Sequence, residues 1–123
     1  MHPLQLGPFA NPVAEEYKLT DGKIRINEGY LYPRDTMIML SHENKCVLGT
    51  EKNSYRVFLE WSKNLPVLAI WKDNRNDAKF LCLEPWTWMP ADGISEENFE
   101  TRKMERLAPM QEEIYSYKLK IEF

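Results

Sequence analysis

Tyr115-Ser116-Tyr117-Lys118-Leu119-Lys120-Ile121-Glu122-Phe123 alternates apolar and polar side chains over nine positions. A period of two puts one set on each face of an extended chain, so this stretch predicts a half-buried strand with one solvated face. The same period recurs upstream, where Tyr55, Val57, Leu59 and Trp61 alternate with Arg56, Phe58 and Glu60, an outer face only partly polar. Lys23 to Ile26 follows the turn signal Thr20-Asp21-Gly22 and predicts a short strand. Met37 to Ser41 and Lys45 to Leu48 flank His42-Glu43-Asn44 and predict a hairpin. Val67 to Trp71 and Phe80 to Leu83 are continuous apolar runs, the pattern of strands covered on both faces, with a polar loop over 72–77 between them.

Evidence for helix is thin. Ser95 could cap a turn with Glu96 and Glu97 in its favoured first positions, but Phe99, Met104 and Leu107 are too sparse for an amphipathic face. The stretch 95–106 is expected to be a long loop with at most a helical turn. Prolines 33, 66, 85, 90 and 109 mark element boundaries, and Pro3, Pro8 and Pro12 stiffen an irregular N-terminal arm. Many short strands with turns between them predict an all-β, antiparallel sandwich or barrel.

The 123 residues contain no repeat, low-complexity tract or linker and are read as one domain. A 43% hydrophobic and 28% charged composition excludes disordered and fibrous classes. A net charge of -3 argues against a nucleic-acid partner, which calls for a basic face. Val67 to Trp71 is the longest apolar run, far short of the roughly 20 residues of a membrane helix. The opening MHPLQLGPFANPVAEEY lacks the basic and apolar regions of a signal peptide. Cys46 and Cys82 lie in apolar stretches, as buried reduced thiols do, and the expectation is a cytoplasmic protein without a membrane partner.

All four tryptophans, Trp61, Trp71, Trp86 and Trp88, are bunched around the second apolar run. Such bunching means one dense core or an aromatic-lined site. Within it, Phe80-Leu81-Cys82-Leu83-Glu84-Pro85-Trp86 reads as an apolar strand ending in a carboxylate, with Pro85 turning the chain out of the sheet. Desolvation there would raise the carboxyl pKa and suit Glu84 to general-base work. The alternative is a structural ion pair with Lys72 or Lys79. A metal site from His42, Cys46 and Cys82 lacks the close ligand spacing of zinc motifs. Glu96, Glu97 and Glu100 read as a solvated loop face, and Glu84 with Asp35 as a glycosidase pair has nothing to set its separation.

Phe80 to Trp86, preceded by Leu65-Pro66-Val67-Leu68-Ala69-Ile70-Trp71, resembles the C-terminal half of the aldose 1-epimerase (galactose mutarotase) family. Leu31-Tyr32-Pro33-Arg34-Asp35-Thr36-Met37-Ile38 is similar to a further family segment, Leu107 to Glu112 stands where a second Leu-Glu-Pro motif would be, and Tyr115 to Phe123 is similar to the closing strand. The resemblance runs from about Leu31 to the end, and residues 1–30 match weakly.

The resemblance implies a β-sandwich of the galactose mutarotase-like type that interconverts the α and β anomers of a free hexose without a cofactor or metal. Glu84 would take the proton from the anomeric hydroxyl, while a histidine protonates the ring oxygen; His2, which begins a segment similar to the family's acid motif, is the candidate. Asp35 would bind sugar hydroxyls, and Trp71 and Trp86 would offer flat faces to the pyranose. The family's chain is longer, and its N-terminal half supplies an arginine, a histidine and part of the sandwich that have no counterpart here. Three readings stand open: a mutarotase, complete or degenerate; a non-catalytic carbohydrate-binding sandwich; and a half-domain completed by a partner half or a second copy.

Overall fold

A computed structural model describes residues 19, 21–26, 36–40, 43–73, 80–91, 98–102 and 104–123. They hold six strands: β1 (Thr36–Leu40), β2 (Lys45–Gly49), β3 (Arg56–Trp61), β4 (Val67–Trp71), β5 (Cys82–Trp86) and β6 (Tyr117–Glu122). These form two antiparallel three-stranded sheets, ordered β1-β4-β5 and β2-β3-β6. Among the described residues there is no helix, so the all-β expectation holds.

Central placement accounts for the apolar run of β4. Hydrogen bonded on both edges, it contributes Val67, Leu68, Ala69 and Ile70, all buried. Residues opposite one another in an antiparallel pair share a face. Leu68 and Ile70 therefore look the same way as Met37 and Leu83, toward the second sheet, where they meet Leu59 and Trp61 in one core. The indole N–H of Trp61 donates to the Leu65 carbonyl at 3.0 Å, which satisfies the polar atom of an otherwise apolar, buried ring. Val67 and Ala69 look the other way with Ile38 and pack with Trp86 and Met89 in a second cluster. Each fully buried aliphatic side chain contributes about 1.5–3 kcal/mol.

The expected hairpin of β1 and β2 does not form: β1 pairs with β4, and β2 with β3. The chain instead crosses between sheets, and Asn44 holds the crossing. Its φ of 50° lies in the left-handed region that asparagine tolerates. Its amide donates to the carbonyls of Ser62 (3.1 Å) and Leu65 (3.0 Å), and its own carbonyl accepts from the Trp61 N–H at 2.9 Å.

Pro85 brings a second correction. The strand does not stop at Glu84 but runs through Pro85, which lies opposite Leu68, to Trp86 opposite Val67. β5 is an edge strand, and a proline fits there when its missing N–H faces away from the neighbour. Glu84 is thus a mid-strand residue. Nor is this strand covered on both faces, for all five of its residues are only half-buried and the preceding Phe80 is exposed. The expected strand over 23–26 reduces to a single bridge at Lys23, after a turn with positive φ at Asp21 and Gly22, while Ile24 and Ile26 pack on the core.

In the second sheet, Arg56 closes the β2–β3 turn by donating to the carbonyls of Thr50, Asn53 and Tyr55 at 2.7–3.2 Å. Gly49 leaves room for this, since a Cβ there would come within 2.6 Å of the Arg56 side chain.

Replacing Asn44 with alanine is expected to cost about 1–3 kcal/mol, from two lost hydrogen bonds and a strained φ. Asn44→Gly, which relieves the backbone, should cost less. Urea denaturation followed by Trp fluorescence checks both; equal costs would show that the backbone conformation contributes nothing.

Candidate functional site

The outer face of the first sheet carries three of the tryptophan-region residues. Cross-strand register places Trp71 opposite Thr36 and Cys82, Glu84 opposite Ala69, and Trp86 opposite Val67, all on one face. Trp71 is the diagonal cross-strand neighbour of Glu84, about 7–8 Å away. Trp86 lies two residues further along β5, at about 7 Å. Along the strand direction Glu84 therefore lies between the backbone positions of Trp71 and Trp86, which are themselves about 13 Å apart. Trp71 also meets Phe80, with ring centroids 5.5 Å apart.

The carboxylate of Glu84 is half-buried, and no hydrogen bond or ion pair to a described residue engages it. The expected structural pair with Lys72 is absent among the ion pairs of the described residues; Lys79 lies outside them. Ile38 and Ala69 beside Glu84 have no solvent exposure, so this face is not an open platform.

An open cleft lies just past the end of β5. It has a volume of about 360 Å³ and is bounded by Trp86, Thr87, Trp88, Met89, Arg102 and Glu105, among others. That volume is at the lower end of small-molecule sites. Trp86 belongs both to this cleft and to the face that carries Glu84, whereas Glu84 and Trp71 do not border the cleft.

The far wall is shaped by a single capped turn. The side-chain oxygen of Asn98 accepts from the backbone N–H groups of Glu100 (2.9 Å) and Thr101 (3.0 Å), while the Thr101 hydroxyl accepts from the Asn98 N–H at 3.1 Å. This reciprocal arrangement is a capping box, and Arg102 N–H closes the turn on the Asn98 carbonyl. Arg106 folds back over it, donating to the carbonyls of Phe99 and Glu100 and lying 5.4 Å from the Phe99 ring centroid. The helical turn anticipated within 95–106 is therefore present, capped by Asn98; Ser95, the cap expected from the sequence, lies outside the described residues. Glu100 is solvent-exposed, as its acidic stretch suggests, and its carboxylate stands 3.9 Å from Arg106. Arg102, Glu105 and Trp88 were not singled out as site residues by sequence. Only the Trp86-x-Trp88 spacing hinted at them, because Arg102 and Glu105 reach the cleft through a turn remote in sequence.

His2 and Asp35, the expected acid and hydroxyl-binding residues, lie outside the described residues, as does His42. Among the described residues no three His, Cys, Asp or Glu side chains gather to hold a metal, and no helix is long and apolar enough to cross a membrane. Cys46 and Cys82 are free thiols in different sheets. Cys46 packs against the central core, and burial pushes its thiol above the ordinary value. No family model, no curated protein and no solved structure matches this chain.

Raised above its unfolded value, the Cys46 thiol contributes stability that is fully present below the ordinary thiol pKa of about 8.5 and is lost as the pH climbs through the raised folded value. Alkylation by iodoacetamide just above neutral pH should accordingly be slower at Cys46 in the folded chain than in urea, read by peptide mass mapping. Equal rates would remove the burial argument.

Proposed function

We propose that this chain is a carbohydrate-binding β-sandwich that seats a sugar in the cleft between Trp86, Trp88, Arg102 and Glu105. The observation that carries this reading is the pairing of two indoles with one guanidinium and one carboxylate around a cleft of monosaccharide size. Flat aromatic rings cover the apolar C–H face of a pyranose, and the two charged groups supply a donor and an acceptor for its hydroxyls. Intrinsic fluorescence titration with a panel of hexoses and short oligosaccharides tests it. Trp86→Ala and Arg102→Ala should each weaken the binding seen for the native chain by about tenfold or more. A titration unchanged in both variants, or no response to any sugar, would overturn the reading.

A second reading makes the chain an aldose 1-epimerase-like enzyme with a sandwich of the galactose mutarotase-like type. It is favoured by the position of Glu84 between Trp71 and Trp86 with no described partner on its carboxylate. Glu84 accepts the anomeric hydroxyl proton while His2 donates one to the ring oxygen. The ring opens, the C1–C2 bond rotates, and closure on the other face of the carbonyl yields the second anomer with the protons returned. Asp35 holds sugar hydroxyls. Polarimetry on a fresh solution of one glucose or galactose anomer should report faster equilibration with the native chain and a loss of at least about a hundredfold for Glu84→Gln. Mutarotation that survives Glu84→Gln would end the general-base assignment.

A further inference from the structure

β6 is the exposed edge of the second sheet. It pairs with β3 on one side, and among the described residues no strand pairs with its other edge. All six of its residues are exposed, so the half-buried strand expected from the alternation of 115–123 is instead solvated on both faces. Tyr117, Leu119 and Ile121 look the same way as Leu59 and Trp61, toward the core side of the sheet, yet remain 76%, 56% and 51% exposed. Phe123 continues the stripe and meets Tyr55 edge-on, with centroids 5.5 Å apart. Such an edge, apolar on one face with unpaired backbone groups, is a template for another strand.

Which backbone groups are available follows from the β3 ladder. Ser62 N–H donates to the Ser116 carbonyl at 2.9 Å, so Ser116 turns its backbone toward β3. By alternation Lys118, Lys120 and Glu122 do the same. Tyr117, Leu119, Ile121 and Phe123 then direct their N–H and C=O groups to the open edge.

We propose that this edge docks a second copy of the same chain, β6 against β6, antiparallel about a two-fold axis at Lys120. The occupant follows from charge. Read antiparallel about Lys120, the strand is self-complementary: Lys118 faces Glu122 of the second copy, twice, and Tyr117 faces Phe123, twice, with Leu119 against Ile121 between them. Opposite charges and aromatic pairs directly across a sheet are each worth about 0.2–1 kcal/mol. Lys120 meets its own copy at the axis, where each ammonium is held by Glu122 of its own strand and lies 5.6 Å from the Phe58 ring centroid on β3, so each Glu122 carboxylate is shared between Lys120 of its own strand and Lys118 of the second copy. Moving the axis to Leu119 sets Lys118 against Lys120 twice, which is repulsive. Moving it to Ile121 leaves Tyr117 and Lys118 outside the ladder. The axis at Lys120 also alternates correctly, placing the odd residues in hydrogen-bonded pairs and the charged residues in the closer, non-bonded pairs.

This inference is independent of sugar binding. The contact joins two strands edge to edge, a small interface, so the dimer should be weak and salt-sensitive.

Sedimentation velocity of the full chain over a wide concentration range should show a monomer–dimer equilibrium. Glu122→Lys should weaken it about tenfold, and adding Lys118→Glu should restore it, because the charge pair is re-formed with its signs exchanged. Under mild oxidation Lys120→Cys should give a disulfide-linked dimer, since that residue meets itself at the axis, and Ile121→Cys should not. Leu119→Pro removes an N–H from the open edge without touching the β3 ladder and should also yield monomer, with far-UV circular dichroism confirming the fold. A chain that stays monomeric at every concentration overturns the proposal. So does restoration by Lys120→Glu instead of Lys118→Glu, or cross-linking at residue 121 instead of 120.

Discussion

Burial of β4 on both faces is the constraint on which the rest of the structure depends. Val67, Leu68, Ala69 and Ile70 are shielded from water on alternate sides of one strand. One set requires a second sheet, which Leu59 and Trp61 supply; the other requires cover on the outer face, to which Trp86 and Met89 contribute. A strand with no polar face can be stable only in a layered setting. Its two neighbours follow from that. β1 is buried at Thr36, Met37 and Ile38, and β5 brings the sheet to an edge with its only described charged side chain, Glu84, opposite the small Ala69.

That position of β4 also divides the tryptophans. Trp61 is a core residue with its N–H satisfied, Trp71 and Trp86 stand at opposite ends of the outer face, and Trp88 is exposed beside the cleft. A core tryptophan and a cleft bordered by two others are both present, in different layers. Bunching in sequence therefore marked one region of chain, not one place in space. Trp86 joins the two regions, because it ends the strand that carries Glu84 and borders the cleft with Arg102 and Glu105.

Much of the strand content was legible, since period-two alternation is a local property: β3, β4 and β6 lie within a residue or two of where their patterns place them. Pairing was less so. Met37 to Leu48 looks like a hairpin because two apolar runs flank a short polar stretch, yet β4 and β3 compete for those strands and win through the burial they offer. Pro85 looked like a strand terminator because a proline cannot donate to a ladder, and that argument loses its force at an edge. The turn at 98–102 was anticipated within 95–106 but its cap was not, because Asn98 and Thr101 satisfy each other locally, without the apolar periodicity by which a helix is recognised in sequence.

Sequence alone determined that this is an antiparallel all-β protein and that its apolar centre is Val67 to Trp71. These follow from side-chain periodicity and composition, which act over a few residues. Tertiary structure decided that Glu84 is mid-strand, that Trp71 and Trp86 stand on either side of it, and that Arg102 and Glu105 border a cleft with Trp86. Each of these depends on which distant strand or turn lies alongside, a choice made by burial of long-range surface and carried by no single stretch of chain.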